Sequence, residues 1–143
     1  MDTLQENYLR TILHFKQFVS ALGNNTIEGK EGLSLSELLF LKRLAALDTN
    51  TINLTEMGAY LSLSKGGISH LITSLDKRGF VERITDPSNR RNILVSLTEK
   101  SNTRLALISK ELDEAFEKMC ETIGMEKIEN MLSTLSAIME YIK

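Results

Sequence analysis

Cysteine, proline and histidine are scarce in this 143-residue chain, which has one, one and two of them. A lone Cys120 can close no intrachain disulfide and build no Cys-rich zinc site, so it reads as a small apolar residue on a helix. His14 and His70 offer too little for a metal cluster, and no metal or cofactor is expected. No run of about 18 apolar residues occurs. The N-terminus, MDTLQENYLR, is polar and acidic, unlike a secretory leader. Together these absences predict a soluble, cytoplasmic chain with no membrane role. A glycine-rich phosphate loop, a nucleophile elbow, an HExxH pair and a clustered carboxylate pair are all missing, so no enzyme is expected.

The 42% hydrophobic content suits one compact domain with a core, extended by elements that need a partner. The net charge of −2 is unevenly spread. From Leu54 to Ser101 there are seven Lys and Arg (65, 77, 78, 83, 90, 91 and 100) against five acids (56, 76, 82, 86 and 99), a balance of +2, leaving −4 on the remainder. A positive segment on an acidic chain orients approach to a polyanion.

Three regions are expected: an N-terminal helix and loop (1–33), a central region (34–100) and C-terminal helices (101–143). Tyr8, Ile12, Phe15, Val19 and Leu22 form the seam of the first helix, which stops at Gly23-Asn24-Asn25. Ser34 with Glu37 is a capping-box signature for a second helix, through about Leu47. Its residues Leu35, Leu38, Leu39, Leu41 and Leu44 cover more than one face, which predicts burial. Ile52-Asn53-Leu54 suggests a short strand. Thr55 is then expected to cap a helix over Glu56–Leu61, and Ser64 to cap the next.

In that next helix Ile68, Leu71, Ile72 and Leu75 fall at i, i+3, i+4 and i+7, a buried stripe. Lys65, Gly66, Ser69, His70 and Thr73 then point outward together. This small, polar, hydrogen-bonding face suits a helix that enters the major groove, where base edges are read by donors and acceptors. Gly66-Gly67 costs roughly 1 kcal/mol per glycine relative to alanine; close approach to a phosphate backbone would account for it. Gly79 is placed as the residue just past the helix end. Lys77 and Arg78 before it serve either the helix dipole or phosphates.

Two β-rich runs, Phe80–Thr85 and Asn92–Thr98, flank the turn Asp86-Pro87-Ser88-Asn89-Arg90-Arg91, with two arginines at a hairpin tip. Thr98 is expected to cap a long helix whose stripe is Leu105, Ile108, Leu112, Phe116, Met119 and Ile123. After Gly124, Ile128, Met131, Leu132, Leu135, Ile138, Met139 and Ile142 mark a last helix. One small domain cannot bury these stripes and the N-terminal seam, so a homodimer is predicted. The fold class is mainly α (α+β): a winged helix-turn-helix with a two-stranded wing, plus terminal helices forming a dimerisation region. Candidate DNA contacts are Ser64, Lys65, Gly66, Ser69, His70, Thr73, Lys77, Arg90 and Arg91.

Ser64, Leu75, Gly79-Phe80-Val81, Arg83, Asp86-Pro87-Ser88, Arg91 and Leu97-Thr98 resemble the pattern of the MarR (multiple-antibiotic-resistance regulator) family of bacterial transcription factors. The resemblance runs along nearly the whole chain. It implies a regulator, expected to be a repressor, whose homodimer sets two recognition helices about one DNA turn apart on a pseudopalindromic operator. It also implies that Arg91 enters the minor groove. Asn89 replaces the usual acidic residue two positions before that arginine, and Ser101 replaces a glycine usual after the Leu-Thr pair, read as the milder departure.

By the same resemblance an effector that changes the spacing of the two heads weakens binding. Its cleft would involve His14, Phe15, Phe18, Phe40 and Arg43. With no cysteine in the first helix for peroxide and few histidines for zinc, the expected effector is a small aromatic or lipophilic molecule, if there is one. The competing reading is a winged protein-interaction or antirepressor subunit that does not read DNA, which the acidic total charge and Asn89 favour and Lys65, Arg90 and Arg91 oppose.

Overall fold

The computed structural model describes residues 1, 3–22, 32–47, 51–85, 88 and 92–143. In chain order they form α1 (Leu4–Leu22), α2 (Leu35–Ala46), β1 (Thr51–Asn53), α3 (Leu54–Leu61), α4 (Lys65–Lys77), β2 (Val81–Thr85), β3 (Asn92–Leu97), α5 (Glu99–Ile123) and α6 (Met125–Ile142). The strands make one antiparallel sheet in the order β1-β3-β2, so the two-stranded wing expected from sequence is joined by a third, short strand. Backbone contacts group the chain into two units, Met1–Leu105 and Ala106–Lys143.

In the first unit, α2 begins with a reciprocal capping box. Glu37 N–H donates to Ser34 Oγ at 3.2 Å and Ser34 N–H to Glu37 Oε2 at 3.1 Å. Leu33 and Leu38, at the positions of a hydrophobic staple across that box, are both buried. Leu41 and Leu44 are buried too, but Leu35 and Leu39 are exposed, so the helix shows one wet side and is not enclosed all round.

The cap of α3 differs from expectation. Asn53, not Thr55, is its N-cap: the Asn53 Oδ1 accepts from Thr55 N at 2.9 Å and Glu56 N at 3.0 Å. Strand β1 ends on Asn53, so the side chain that can reach two unpaired N–H groups stands one turn-start earlier than the threonine. At the far end Ser62 adopts φ 55° and Leu63 N–H bonds Gly58 O at 2.8 Å. A Cβ on Gly58 would lie 2.7 Å from the Leu63 carbonyl oxygen, so this turn requires glycine.

Ser64 caps α4 as expected, accepting from Gly67 N at 3.0 Å, and Ile68, Leu71, Ile72 and Leu75 are all buried. The helix ends in a Schellman motif. Gly79, at φ 79°, donates to Asp76 O at 3.0 Å, and Phe80 N–H reaches Leu75 O at 2.9 Å. Phe80 and Leu75 are both buried, the hydrophobic pair that accompanies this ending. The sheet continues the core with Ile52, Val81, Ile93 and Val95. β2 lies at its edge, with Val81 opposite Leu97 and Arg83 opposite Val95.

Thr98 starts α5: its Oγ1 accepts from Ser101 N at 3.3 Å and donates to Gly79 O at 2.7 Å. Ser101 is fully buried and its hydroxyl donates to the Phe80 carbonyl. Ser101, at the position where the family pattern has glycine, is therefore a core residue at the helix start, its hydroxyl sharing the Phe80 carbonyl with the Thr98 N–H. α1 carries its own reciprocal cap, with Glu6 N–H on Thr3 Oγ1 at 3.1 Å and Thr3 N–H on Glu6 Oε2 at 2.8 Å. Its seam residues Tyr8, Ile12, Phe15 and Val19 are all exposed.

In the second unit Gly124, at φ 101°, separates α5 from α6. Of the α6 stripe, Ile128 is buried whereas Met131, Leu132, Met139 and Ile142 are exposed.

Candidate nucleic-acid interface

Helix α4 is positioned by its buried stripe, its serine cap and the Schellman turn, and these fix which side faces out. Lys65, Gly66, His70 and Lys77 are exposed, with Ser69, Thr73 and Ser74 half-buried along the same side. Ser64 is exposed at the helix start, its oxygen engaged by Gly67 N–H. Gly66 is in open space: a Cβ there would meet only Ser64 Oγ, at 3.9 Å. Gly67 is tighter, with Ser64 Oγ at 3.3 Å and Leu63 Cβ at 3.4 Å.

Farther along the helix, His70, Thr73, Ser74, Lys77 and Arg78 line an open depression of about 340 Å³. The Thr73 hydroxyl donates to Ser69 O at 2.8 Å and accepts from Arg83 Nη1 at 3.2 Å. This bond joins α4 to β2. In the sequence Arg83 counts among the cations of the positive segment and in the family pattern, but not among the candidate DNA contacts. The signal that could have found it is its strand period: Arg83 shares a face with Val81, the face turned inward to α4.

Lys77 and Arg78 part company. Arg78 donates through Nη1 to Gly32 O at 3.1 Å, and its Nη2 lies 2.7 Å from Glu37 Oε2, a close charge contact off the hydrogen-bond line. Its guanidinium also sits 5.5 Å from the Phe80 ring centre. Arg78 thus locks α4 to the start of α2, and Lys77 remains as the exposed cation. Arg90 and Arg91 lie outside the described residues; β2 and β3 bracket them between Thr85 and Asn92.

Of the five residues expected to line an effector cleft, His14, Phe15 and Phe18 lie on α1 and Phe40 and Arg43 on α2. Phe40 is wholly enclosed in the core. Phe15 and Phe18 are exposed on α1 with ring centres 6.5 Å apart, and His14 is exposed beside them. Arg43 stacks 5.2 Å from the Tyr60 ring centre at a small cavity of about 110 Å³, which Leu47, Ile52, Asn53, Glu56 and Met57 also line. Among the described residues no cluster of His, Cys, Asp or Glu could hold a metal ion, and no helix is long and apolar enough to cross a membrane.

Residues 33–93, which run from the start of α2 into β3 and include the whole outward face of α4, match the MarR family model. This segment belongs to the MarR family. The chain is similar to curated proteins as well. An HTH-type transcriptional regulator, SarZ of Staphylococcus haemolyticus, is 24% identical over 99 residues, 69% of this chain and 66% of that protein. An uncharacterized HTH-type transcriptional regulator, YdcH of Bacillus subtilis, is 35% identical over 78 residues, 52% of this chain and 49% of that protein. The chain thus spans under two thirds of the length of these two relatives. Among solved structures, Sco3205, a MarR family transcriptional regulator from Streptomyces coelicolor in complex with DNA, superposes with a TM-score of 0.77 at 18% identity, covering 98% of this chain and 88% of that one. That likeness is one of fold, and it takes in the terminal helices as well as the winged segment.

Proposed function

We propose that this chain is a sequence-specific DNA-binding transcriptional regulator that acts in the cytoplasm as a homodimer on a pseudopalindromic operator and represses by occupying it. The observation that carries this reading is the two-sidedness of α4. One side is wholly apolar and buried; the other offers Lys65, Gly66, Ser69, His70 and Lys77 with no large apolar side chain among them. A helix of that kind can enter a major groove and present donors and acceptors to base edges, with cations left for phosphates. The names of the relatives and the DNA bound to Sco3205 support the same reading.

The dimer follows from surface. Tyr8, Ile12, Phe15 and Val19 on α1, and Met131, Leu132 and Met139 on α6, leave apolar faces that a second copy would bury. Two copies of α4 then address half-sites about one helical turn apart. A small aromatic or lipophilic ligand that alters their separation would release the operator without touching a base contact. No catalytic step enters this reading.

The test is a titration of the purified protein with DNA from its own upstream region and with random duplex, at two salt concentrations. A specificity ratio of about a thousand or more, with a steep salt slope, is expected. Failure to enrich any sequence from a random duplex library would overturn the reading in favour of a winged subunit that binds protein.

A further inference from the structure

We propose that Arg83 is a DNA-phosphate contact at the shoulder between α4 and the wing, and that Thr73 is its positioning residue and not a reader of bases. The assignment rests on the DNA-binding reading above and adds to it a residue on a different element.

A threonine hydroxyl has a single proton to give. In Thr73 that proton is committed to the Ser69 carbonyl at 2.8 Å, one turn back on the same helix. The acceptor side of the oxygen takes the Arg83 guanidinium at 3.2 Å. With its one proton and one of its two lone pairs engaged, Thr73 offers the groove a methyl group and no directed donor. Its hydroxyl instead completes a chain from the helix backbone, through Thr73, to Arg83.

Arg83 is suited to use that anchor. It stands exposed on the edge strand β2, two residues from buried Val81 and on the same strand face, so its side chain is directed along α4 rather than away from it. Thr73 lines the depression that runs past His70 and Lys77, so its bond brings the Arg83 guanidinium to the rim of that depression. Among the described residues that line the depression there is no carboxylate. Arg78, the other cation there, is held by Glu37 and Gly32. A guanidinium is a planar fork of several N–H donors and matches a phosphate bidentately. One N–H given to Thr73 fixes the fork before DNA arrives and lowers the ordering cost of binding.

The experiment measures affinity against salt for wild type, Arg83→Gln, Arg83→Lys, Thr73→Val and the Thr73→Val/Arg83→Gln double variant. Two probes are used: a random duplex, and a duplex selected by the wild type from a random library. Circular dichroism melts establish that each variant folds. Arg83→Gln is expected to lower affinity for both probes about tenfold for each protomer engaged, the scale of one charge-assisted hydrogen bond, and so about a hundredfold for the homodimer. It should also reduce the salt slope by about one per protomer, about two for the homodimer, while keeping the specificity ratio. Arg83→Lys should keep the salt slope and recover only part of the affinity, since it retains charge without the fork. Thr73→Val should act in the same direction as Arg83→Gln and add nothing to it in the double variant. An unchanged salt slope in Arg83→Gln, or a Thr73→Val that loses specificity independently of Arg83, overturns the assignment while leaving the DNA reading intact. A wild type that binds neither probe overturns both.

Discussion

Arg78 and Glu37 approach to 2.7 Å, and the contact joins the end of the proposed recognition helix to the capping box of α2. Glu37 therefore serves two partners, the Ser34 N–H of its own helix and the guanidinium that follows α4. The orientation of α4 depends on this link as well as on its buried stripe. Replacing Arg78 with Met keeps much of the stacking area over Phe80 but removes the charge and the bond to Gly32 O. It should cost about 1–3 kcal/mol in a urea melt. Glu37→Gln, which can still accept at the cap, should cost less than Glu37→Ala. Equal losses in the two Glu37 variants would mean that the cap, and not the ion pair, is irrelevant to stability.

Gly58 and Gly66 make opposite predictions from one kind of substitution. An alanine at 58 would press a methyl to 2.7 Å from the Leu63 carbonyl oxygen, so the α3 to α4 turn must shift, at a cost of roughly 2 kcal/mol or more. At 66 the same methyl has open space on a helical backbone, and Gly66→Ala should stabilise the fold by up to about 1 kcal/mol. If a duplex passes close to that backbone, the stabilised variant should bind DNA more weakly. A higher melting temperature with unchanged DNA affinity would take Gly66 out of the interface.

The glycine contrast illustrates what was legible in the sequence. The stripe of α4, its Ser64 cap, the Gly79 ending and the Ser34–Glu37 box all depend on spacings of three or four residues along one helix, and each appears in the structure as read. Thr55 failed as a cap because Asn53 has the same local chemistry and the end of β1 decides between them. The expected cleft residues are spread over α1 (His14, Phe15 and Phe18), the core (Phe40) and the cavity beside Tyr60 (Arg43), and spacing along the chain cannot say whether such elements face one another. Thr73–Arg83 and Ser101–Phe80 were invisible for the same reason, their partners being 10 and 21 residues apart on different elements. The wing arginines 90 and 91 lie outside the described residues.

Acid should loosen the start of α1. The Glu6 carboxylate is held below its ordinary titration range, first by the Thr3 backbone N–H and then by the Thr3 hydroxyl. Because the folded form titrates lower than the unfolded one, its stabilising contribution is fully present above the ordinary glutamate range, near pH 4.3, and is lost as pH falls through the depressed value. Hydrogen exchange of the first-turn amides of α1 should therefore accelerate on acidification in the wild type, relative to the other helices, and Glu6→Gln should flatten that dependence. The same pH profile in Glu6→Gln and wild type would assign the loosening to another group.

The apolar faces of α1 and α6 predict a dependence of folding on association. Ile12 and Phe15 are both at least two fifths exposed, an unfavourable use of large apolar side chains unless a second copy covers them. The double substitution Ile12→Glu/Phe15→Glu puts charges on that seam without altering the buried residues of the winged head, so it should give a folded monomer by sedimentation. Deleting residues 125–143 removes the other face and should give monomer or aggregate. A monomeric head retains one α4 and can engage only one half-site, so its affinity for a pseudopalindromic duplex should fall at least a hundredfold, the lower range of the avidity gained by linking two modules. Wild type that sediments as a monomer at micromolar concentration would end the dimer argument and leave α1 exposed for another purpose.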